Sequence, residues 1–576
     1  MSTGERQLTT AVLVIGTGGS GLRAAIELAE SGVATLAVGK RPRLDAHTAL
    51  AAGGINAALG TMDPSDSWEQ HAADTIKESY FLANPHTVEV VTRGAEEGIR
   101  DLERYGMAFA READGRLSQR FFGAHTWRRT AFAGDYTGLE IQRALVSRAD
   151  QLQIPILDGV YITRLLVRDN AVFGAYGFDV ADGTRYLIHA DAVILAAGGH
   201  TRIWRRTSSR RDENTGDSFR LAVDAGAKLR DAELVQFHPS GIVEPENAAG
   251  TLISEAARGE GGVLRNALGE RFMERYDPER MELSTRDRVA LAAYTEIKEG
   301  RGTDNGAVLL DVSHLPRETI MGRLPRVYQT MMETQMLDIT REAIEVAPTA
   351  HYSMGGVWVR PEDHGTGVDG LYAIGEASSG LHGANRLGGN SLIELLVYGR
   401  IVGQAAAAYS SSLHEHRRSP GATSDARAEV NDLLVADGTE NVRALQRAIR
   451  NTMTDHGGVV RDEVGLKTGL GEIADVEDRM QNVGIHPDIA GFQDLAHAFD
   501  LKASLLAARA TLESALERRE TRGCHNRSDY PDIDPELQVN LVWSPHHGVV
   551  REAIPSVPEA ITAFVRDVSS DGKLVE

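Results

Sequence analysis

The sequence contains a single cysteine, Cys524, among its 576 residues. One thiol cannot form an internal disulfide, and it cannot hold a cysteine-ligated iron–sulfur cluster or zinc ion within the chain. Any metal-centred electron relay must therefore belong to another polypeptide.

Long apolar runs and an apolar signal core are also missing. The segment Met1 to Thr10 is polar, and nowhere do 18 apolar residues follow one another. These features predict a cytoplasmic protein that lies on a membrane only through partner subunits.

Positive charge is in deficit, because 61 Lys and Arg face 82 Asp and Glu for a net charge of −21. This balance repels phosphates and argues against a nucleic acid partner. A small anionic substrate would need local arginines and histidines. The length itself predicts several domains.

A nucleotide-binding pattern follows the polar start. The apolar run at 12–15 leads into Gly16-Thr17-Gly18-Gly19-Ser20-Gly21, then a helix-like stretch and a second apolar run at 35–38. Gly16, Gly18 and Gly21 match G-x-G-x-x-G in a βαβ context, where a tight turn and close backbone approach exclude Cβ atoms. The pattern predicts a pyrophosphate on the helix N-terminus.

Two further glycine turns favour FAD over NAD. Apolar strands lead into Ala197-Gly198-Gly199 and into Gly375-Glu376. Gly39 stands where a typical NAD or FAD site has an acid for the ribose, and this absence argues against a plain NAD dehydrogenase. A cofactor held by such discontinuous segments is expected to be large, as FAD is.

The sequence predicts an α/β protein with a Rossmann-like FAD-binding domain, an inserted α+β capping domain and a C-terminal helical domain. The predicted limits are 1–240 with 351–412 for the discontinuous FAD-binding domain, 241–350 for the capping domain, 425–530 for the helical domain and 531–576 for a C-terminal segment. A polar linker is expected from His414 to Asp425. Apolar residues spaced from Leu501 to Leu516 predict a helix that ends near Gly523.

Several motifs follow one another along the chain. They are Ala46-His47-Thr48 with Ala51 to Ile55, Phe122 to Thr126, Asn214 to Asp217, Gln236 to Gly241, Ser254 to Gly262, Pro348 to Gly356, and Gly383 to Ser391. Their fixed order resembles that of succinate dehydrogenase and fumarate reductase flavoprotein subunits. The resemblance implies interconversion of succinate and fumarate. It also implies an iron–sulfur partner subunit, membrane anchor subunits that bind quinone, and a peripheral place on the cytoplasmic face of the inner membrane.

The same resemblance implies roles for individual residues. His47 would bind FAD covalently. The cofactor-binding residues would be Gly16, Gly18, Gly21, His47, Thr48, Gly53, Gly54, Asp217, Glu376, Asn390 and Ser391. The substrate carboxylates would be bound by His238, Ser254, His351 and Arg386. Arg286 would transfer the proton, with Glu255 and Arg258 completing its path; no metal ligand is expected.

Three departures from the family pattern are Ala52 for glutamine, Ala46 for serine and Ser218 for glycine. The change at Ala52 removes an amide near flavin and substrate, and it leaves the direction of turnover open. An L-aspartate oxidase-like enzyme is the alternative, although those enzymes lack the histidine at position 47. A catalytically silent flavin scaffold is a third hypothesis, and retention of the carboxylate ligands argues against it.

Overall fold

The computed structural model describes residues 4–487 and 491–565. Residues 1–3 of the predicted FAD-binding domain, 488–490 of the predicted helical domain and 566–576 of the predicted C-terminal segment lie outside the described residues. The core of the first lobe is a seven-stranded sheet. Its strand β1 (Glu5–Ile15), helix α1 (Gly19–Glu30) and parallel strand β2 (Thr35–Gly39) form the predicted βαβ unit. The α/β fold class is confirmed.

The chain then continues through elements of which some join this sheet and others lie outside it. They are β3 (Ile55–Asn56), α2 (Trp68–Glu78), α3 (Pro85–Arg104), β4 (Gln119–Arg120), β5 (Thr130–Ala131), α4 (Thr137–Gln151), β6 (Ile156–Asp158), β7 (Val160–Arg168), β8 (Ala171–Asp179), β9 (Arg185–Leu195), α5 (Asp217–Asp224), β10 (Leu229–Arg230) and β11 (Val235–Ile242). The strand order of the central sheet is β6-β2-β1-β9-β8-β7. Strands β3, β4 and β5 form a separate three-stranded sheet, and β10 and β11 belong to two further sheets. Leu13 and Ile15 enter the core on one face of β1, while Val12 and Val14 enter the core on the other. Apolar residues on both faces explain why helices cover both sides.

The next segment builds a second lobe with its own sheet and core. Its elements are α6 (Ala256–Gly259), β12 (Val263–Arg265), α7 (Met273–Tyr276), α8 (Arg286–Glu296), β13 (Val308–Asp311), α9 (Arg317–Arg323), α10 (Pro325–Gln335) and β14 (Ile344–Ser353). The antiparallel sheet has the order β11-β14-β13-β12. Leu264, Leu310 and Val346 belong to its separate apolar core. Strands β11 and β14 pair with each other and thereby tie this lobe to the first.

The chain then returns to the first lobe and ends in helices and a hairpin. The elements are β15 (Gly356–Val357), β16 (Leu371–Ala373), α11 (Asn390–Ser412), α12 (Pro420–Leu434), α13 (Val442–His456), β17 (Val460–Arg461), α14 (Glu463–Met480), α15 (Gln493–Glu517), β18 (Asn526–Arg527), β19 (Val539–Ser544), β20 (Gly548–Ala553) and α16 (Glu559–Val565). Strand β16 joins the central sheet beside β9, and β19 pairs with β10. The hairpin of β19 and β20 therefore belongs to the first lobe's surface.

Helix α11 is apolar and long enough to cross a membrane by length and composition, and it is the one such helix among the described residues. However, 61% of its most apolar window is buried, and it packs against α1 and α3. Its apolar character is explained by this position in the core.

Three local predictions were wrong at their boundaries. The expected linker His414 to Asp425 gives way to α12 at Pro420, because Ser419 caps that helix by accepting the N–H of Ala422. Helix α15 ends at Glu517 rather than near Gly523, since Arg518 leaves the helix to pair with buried Glu233. Strand β1 begins at Glu5, where polar residues pair with the distant strand β9.

Candidate active site

A cavity of about 520 Å³ is lined by both lobes. The first lobe contributes the turn after β1 and the residues that follow β2, and the second contributes Thr251 to Glu255, Arg286 and Arg326. A cleft at the carboxyl ends of parallel strands is where α/β proteins bind nucleotides. The cavity joins this position to the lobe interface.

The glycine turn forms one end of the cavity. Gly16 has a φ of +113°, and a Cβ there would lie 2.1 Å from the carbonyl oxygen of Ala196. A Cβ on Gly21 would lie 1.9 Å from the oxygen of Gly16, although Gly21 itself does not line the cavity. Thr48 accepts the N–H of Gly19 at 3.0 Å and so supports the first turn of α1.

A buried polar network surrounds Lys40 beside this turn. Its Nζ lies 2.6 Å from Asp217 and 3.3 Å from Asp500 of α15, and Tyr161 donates to both carboxylates. Burial opposes the charge, but the two carboxylates outweigh it and raise the pKa of Lys40. The ammonium is therefore charged, with Lys40, Tyr161 and Asp217 lining the cavity.

His47 begins the 3₁₀ turn His47–Leu50 and lines the same cavity. Its Nδ1 lies 3.0 Å from Oε2 of Glu213. Burial opposes the imidazolium, but the Glu213 carboxylate outweighs this and raises the pKa of His47. Arg210 also pairs with Glu213. Because Nδ1 is engaged, Nε2 is the ring nitrogen available for another bond.

The other end of the cavity holds two histidines on paired strands, of which His238 is buried and His351 is half-buried. His238 on β11 and His351 on β14 have ring centroids 5.4 Å apart. Burial, with Arg286 next for His238 and Arg386 next for His351, lowers both pKa values well below 6.5. The N–H of Ser240 points to Nδ1 of His238 at 3.3 Å, which leaves the proton on Nε2. Both rings are thus neutral donors at pH 7.

Arg386 lies beside these histidines and is 4% exposed. It donates to Oγ of Ser391 at 2.7 Å and to Oε1 of Gln236 at 3.1 Å, and its guanidinium stacks over Tyr352. Burial, and then Arg286, lower the pKa of Arg386 to about 10. The Arg386 guanidinium has no carboxylate partner among the described residues, so its two N–H edges suit an anionic ligand.

Arg286 begins α8 and forms an ion pair with Glu255, where its Nε and Nη2 both lie 2.9 Å from Oε2. Gln236 accepts from Arg286 at 3.2 Å as well as from Arg386, so one amide joins the two guanidinium groups. Burial opposes ionisation of Glu255, but Arg286 and then Arg258 lower its pKa to about 2. Arg258 is fully buried behind this pair, 3.8 Å from Glu255, and does not line the cavity.

Two comparisons of sequence bear on the family. Residues 11–392 match the family described as FAD binding domain, and residues 446–553 match fumarate reductase flavoprotein C-term. The chain belongs to the succinate dehydrogenase and fumarate reductase flavoprotein subunits. It is an FAD-dependent oxidoreductase.

Relatives of this flavoprotein subunit match it over nearly its whole length. A fumarate reductase (CoM/CoB) subunit of Methanothermobacter marburgensis is 42% identical, over 92% of this chain and 96% of that protein. The succinate dehydrogenase flavoprotein subunit of Rickettsia felis is 37% identical over 97% and 96% of the two chains. The solved structure of Mycobacterium smegmatis Sdh1 in complex with UQ1 has a TM-score of 0.88 at 37% identity and 96% coverage of both chains. A variant of FrdA from E. coli quinol fumarate reductase has a TM-score of 0.91 at 30% identity, with 96% and 98% covered.

The lining of this flavoprotein subunit fits FAD at the pyrophosphate end. Among the described residues, the N-cap residue Gly18 makes no side-chain cap, Thr48 accepts only the N–H of Gly19, and Gly18 and Ser20 line the cavity. Free N–H groups at a helix N-terminus attract phosphate oxygens. The cavity continues past His47 to the histidines and arginines, so a cofactor held at α1 can reach the other end.

Most of the predicted site residues line the same cavity. They are Gly16, Gly18, His47, Thr48, Gly53, Gly54, Asp217, Glu376, Ser391, His238, Ser254, Glu255, Arg286, His351 and Arg386. Gly21, Arg258 and Asn390 do not. The side chain of Asn390 instead accepts from Asn56 and His71 and donates to Thr75, which anchors the start of α11. These bonds occupy its side chain, and a contact between Asn390 and the cofactor stays a prediction.

Sequence reasoning missed Lys40, Glu213 and Gln236. Lys40 directly follows β2, so its position beside the predicted cofactor was a usable signal. Glu213 and Gln236 lie within or next to the family motifs, but their partners are distant in sequence. The second lobe also makes an unpredicted contact, because the N–H and the guanidinium of Arg326 both donate to Asp135 at 3.0 Å.

Proposed function

We propose that the chain interconverts succinate and fumarate and exchanges electrons with a separate iron–sulfur subunit and, through it, a quinone. The proposal rests mainly on one observation. His238, His351, Arg386 and Arg286 converge on one end of a cavity whose other end fits FAD. Bound FAD supplies the hydride chemistry at the substrate carbon.

The side chains at the lobe interface would bind the two carboxylates. Arg386 offers a charged fork, and His238 offers a neutral N–H because its Nδ1 is already occupied. Ser254 and His351 add further polar groups to the same lining. Fixed carboxylates hold the central carbons in place, which is the positioning that hydride and proton transfer require.

Arg286 would exchange the proton at the carbon next to the one that exchanges the hydride. Its guanidinium is held by Glu255 on one side and by Gln236 on the other. Glu255 and buried Arg258 then form the route by which a proton reaches or leaves Arg286. In fumarate reduction the proton goes to carbon, and in succinate oxidation it returns by the same route.

The test of this function is reduction of the bound flavin. Succinate should bleach the flavin absorbance of the purified protein, and fumarate should restore it. Peroxide formed from aspartate and oxygen would instead support the L-aspartate oxidase-like alternative. Flavin that responds to neither diacid would support a silent scaffold.

We also propose that His47 carries the FAD covalently. The support is its place in the lining and the engagement of Nδ1 by Glu213, which leaves Nε2 for the bond. Flavin fluorescence should stay with the protein band after denaturing electrophoresis. It should be lost in His47→Ser and kept in His86→Ser, a change of an exposed histidine on α3. Fluorescence that leaves the wild-type band would refute the covalent bond.

A second candidate differs in the electron donor. The 42% identical relative is named for CoM and CoB, whereas the Rickettsia succinate dehydrogenase subunit is 37% identical. In this candidate, CoM and CoB replace a quinol as the source of electrons for the partner subunit. Fumarate reduction by the purified complex with CoM and CoB, and not with a quinol, would favour this candidate.

The partners and location follow from the same proposal. The iron–sulfur subunit and one or more quinone-binding membrane anchor subunits would place the chain peripherally on the cytoplasmic face of the inner membrane. Residues 1–240 with 351–412 would bind FAD, 241–350 would cap the substrate, and the helical part would begin at Pro420. Membrane fractionation with identification of the co-purifying proteins tests this assembly.

A further inference from the structure

Four arginines form a cationic patch where helix α13 meets the first lobe. This arginine cluster consists of Arg202, Arg211, Arg447 and Arg450. Helix α13 packs on the 3₁₀ turn Thr201–Ile203, and the indole of Trp204 donates to the carbonyl of Gly457 at 3.1 Å. The N–H of Arg205 donates to Thr454 at 3.0 Å. These bonds fix the two segments against each other.

The register of α13 directs its arginines to one side. Arg447 and Arg450 are three positions apart, and Arg443 precedes Arg447 by one helical turn, so all three share a face. Leu445 and Ile449 occupy the buried face. Arg447 is exposed and Arg450 is half-buried.

None of the four cluster arginines forms a salt bridge with Asp or Glu within residues 4–487 and 491–565. The nearby carboxylates have other partners, since Asp212 pairs with Arg41, Glu213 with Arg210 and Asp455 with Arg205. The cluster is therefore a local excess of positive charge on a chain whose net charge is −21.

The cluster members are close enough to act on one another. Burial, followed by Arg450 and Arg211, lowers the pKa of Arg202 to about 10. Burial, followed by Arg447 and Arg211, lowers the pKa of Arg450. Bringing like charges together is unfavourable unless an anion offsets the repulsion.

The arginine cluster borders the cavity of the candidate active site. Arg211 lies between Arg210 and Asp212, which both line the cavity, and the next residue, Glu213, is bonded to His47. The N–H of Arg202 donates to the carbonyl of Asn214 at 2.9 Å. A molecule bound on the cluster would therefore lie next to the segment that holds His47.

We propose that the arginine cluster docks an acidic face of the protein that exchanges electrons with this subunit. The proposal rests on the proposed function, in which electrons must leave a chain whose single cysteine cannot hold a cluster. Screening confines interactions of exposed charges to about 10 Å, so the local positive patch and not the net charge acts on a docked surface. Because the arginine cluster lies beside the cavity, a protein docked on it would lie near the site of electron exchange, and this supports an electron-exchange partner.

The experiment compares Arg211→Gln/Arg447→Gln with Arg93→Gln/Arg100→Gln. Both double variants remove two exposed arginine charges, and the control pair lies on α3, which packs on α2 and α11. The native complex is purified, its partner is identified and separated, and association with each variant is measured at several salt concentrations. The cluster variant should associate about tenfold more slowly at low salt, with a weaker salt dependence. The control should match the wild type.

Other outcomes would overturn the proposal. Equal association by the cluster variant and the control would do so. The proposal would also be overturned if the cluster variant bound the partner like the wild type but no longer bound phosphatidylglycerol vesicles, because the cluster would then contact a membrane. Succinate should bleach the flavin equally in all variants, which shows intact folding. If succinate fails to bleach even the wild type, the proposed function fails, while the association rates still decide whether the cluster docks the partner.

Discussion

Replacing Arg386 by methionine removes a guanidinium that folding buries without a carboxylate partner among the described residues. Burial and the neighbouring Arg286 lower the pKa of Arg386 to about 10 from 12.5. This difference corresponds to roughly 3 kcal/mol, the free energy needed to hold the charge in the ligand-free pocket. A dicarboxylate would offset that cost.

The stability effect should differ sharply from that of the matched change at Arg286. Methionine at 386 loses hydrogen bonds to Ser391 and Gln236, about 1–2 kcal/mol each, but it also removes the charge cost. The free energy of unfolding should therefore change by less than about 1 kcal/mol. Arg286→Met leaves Glu255 with only Arg258 at 3.8 Å, and breaking such a buried pair costs about 3–5 kcal/mol.

Thermal unfolding of the holoprotein, with and without fumarate, measures both effects. At a concentration of about 100 times its Kd, fumarate should stabilise the wild type by about 2.7 kcal/mol. Arg386→Met should lose this stabilisation while keeping the ligand-free melting temperature. The reasoning is refuted if Arg386→Met is as destabilised as Arg286→Met, or if fumarate still stabilises it.

Three further predictions address the proton route, the cofactor and the response to pH. Glu255→Gln should lower kcat by a factor of about 10²–10⁴, because Arg286 loses its charged partner. Flavin absorbance should show that FAD is still bound, and unchanged dye-linked turnover would contradict the prediction. In a His47→Ser background, Asp500→Asn should weaken FAD binding to the apoprotein about tenfold in a fluorescence titration, because Lys40 loses one of its two carboxylate partners. The control Asp494→Asn, at the start of α15, should leave FAD binding unchanged. Burial and then Arg461 lower the pKa of His200 to about 3, so between pH 6.5 and about 3 the unfolded chain holds one more proton at this site. His200 therefore contributes a fall in stability of about 1.4 kcal/mol for each unit by which the pH falls. His200→Gln should flatten this fall in urea unfolding between pH 7 and 5, and an unchanged slope would exclude His200 as its source.

The predictable parts of the fold were those determined by neighbours in sequence. The glycine turn after β1 follows from local sterics, since a Cβ on Gly16 or Gly21 would collide with backbone oxygens. The order of motifs similarly placed His238 and His351, which the pairing of β11 with β14 brings together. The glycine turn and each histidine motif can be recognised within a few residues, whereas the pairing that brings the two histidines together joins distant strands.

The missed interactions depend on segments far apart in the chain. Lys40 pairs with Asp500 across 460 positions, and His47 pairs with Glu213 across 166. The sequence contains no local sign of such pairs, because either carboxylate is compatible with an ordinary solvated loop or helix. Burial makes them essential, since a charged group away from water requires a partner.

The start of α11 shows why a matched motif does not determine the role of each side chain. Asn390 and Ser391 both belong to the glycine-rich stretch, and both were predicted to bind the cofactor. Successive residues on a helix point about 100° apart. Ser391 therefore lines the cavity and accepts from Arg386, whereas Asn390 turns to His71 and Thr75 of α2. The motif identifies where the helix begins, but only the helix geometry separates the residue that lines the cavity from the one whose side chain fixes the helix in place.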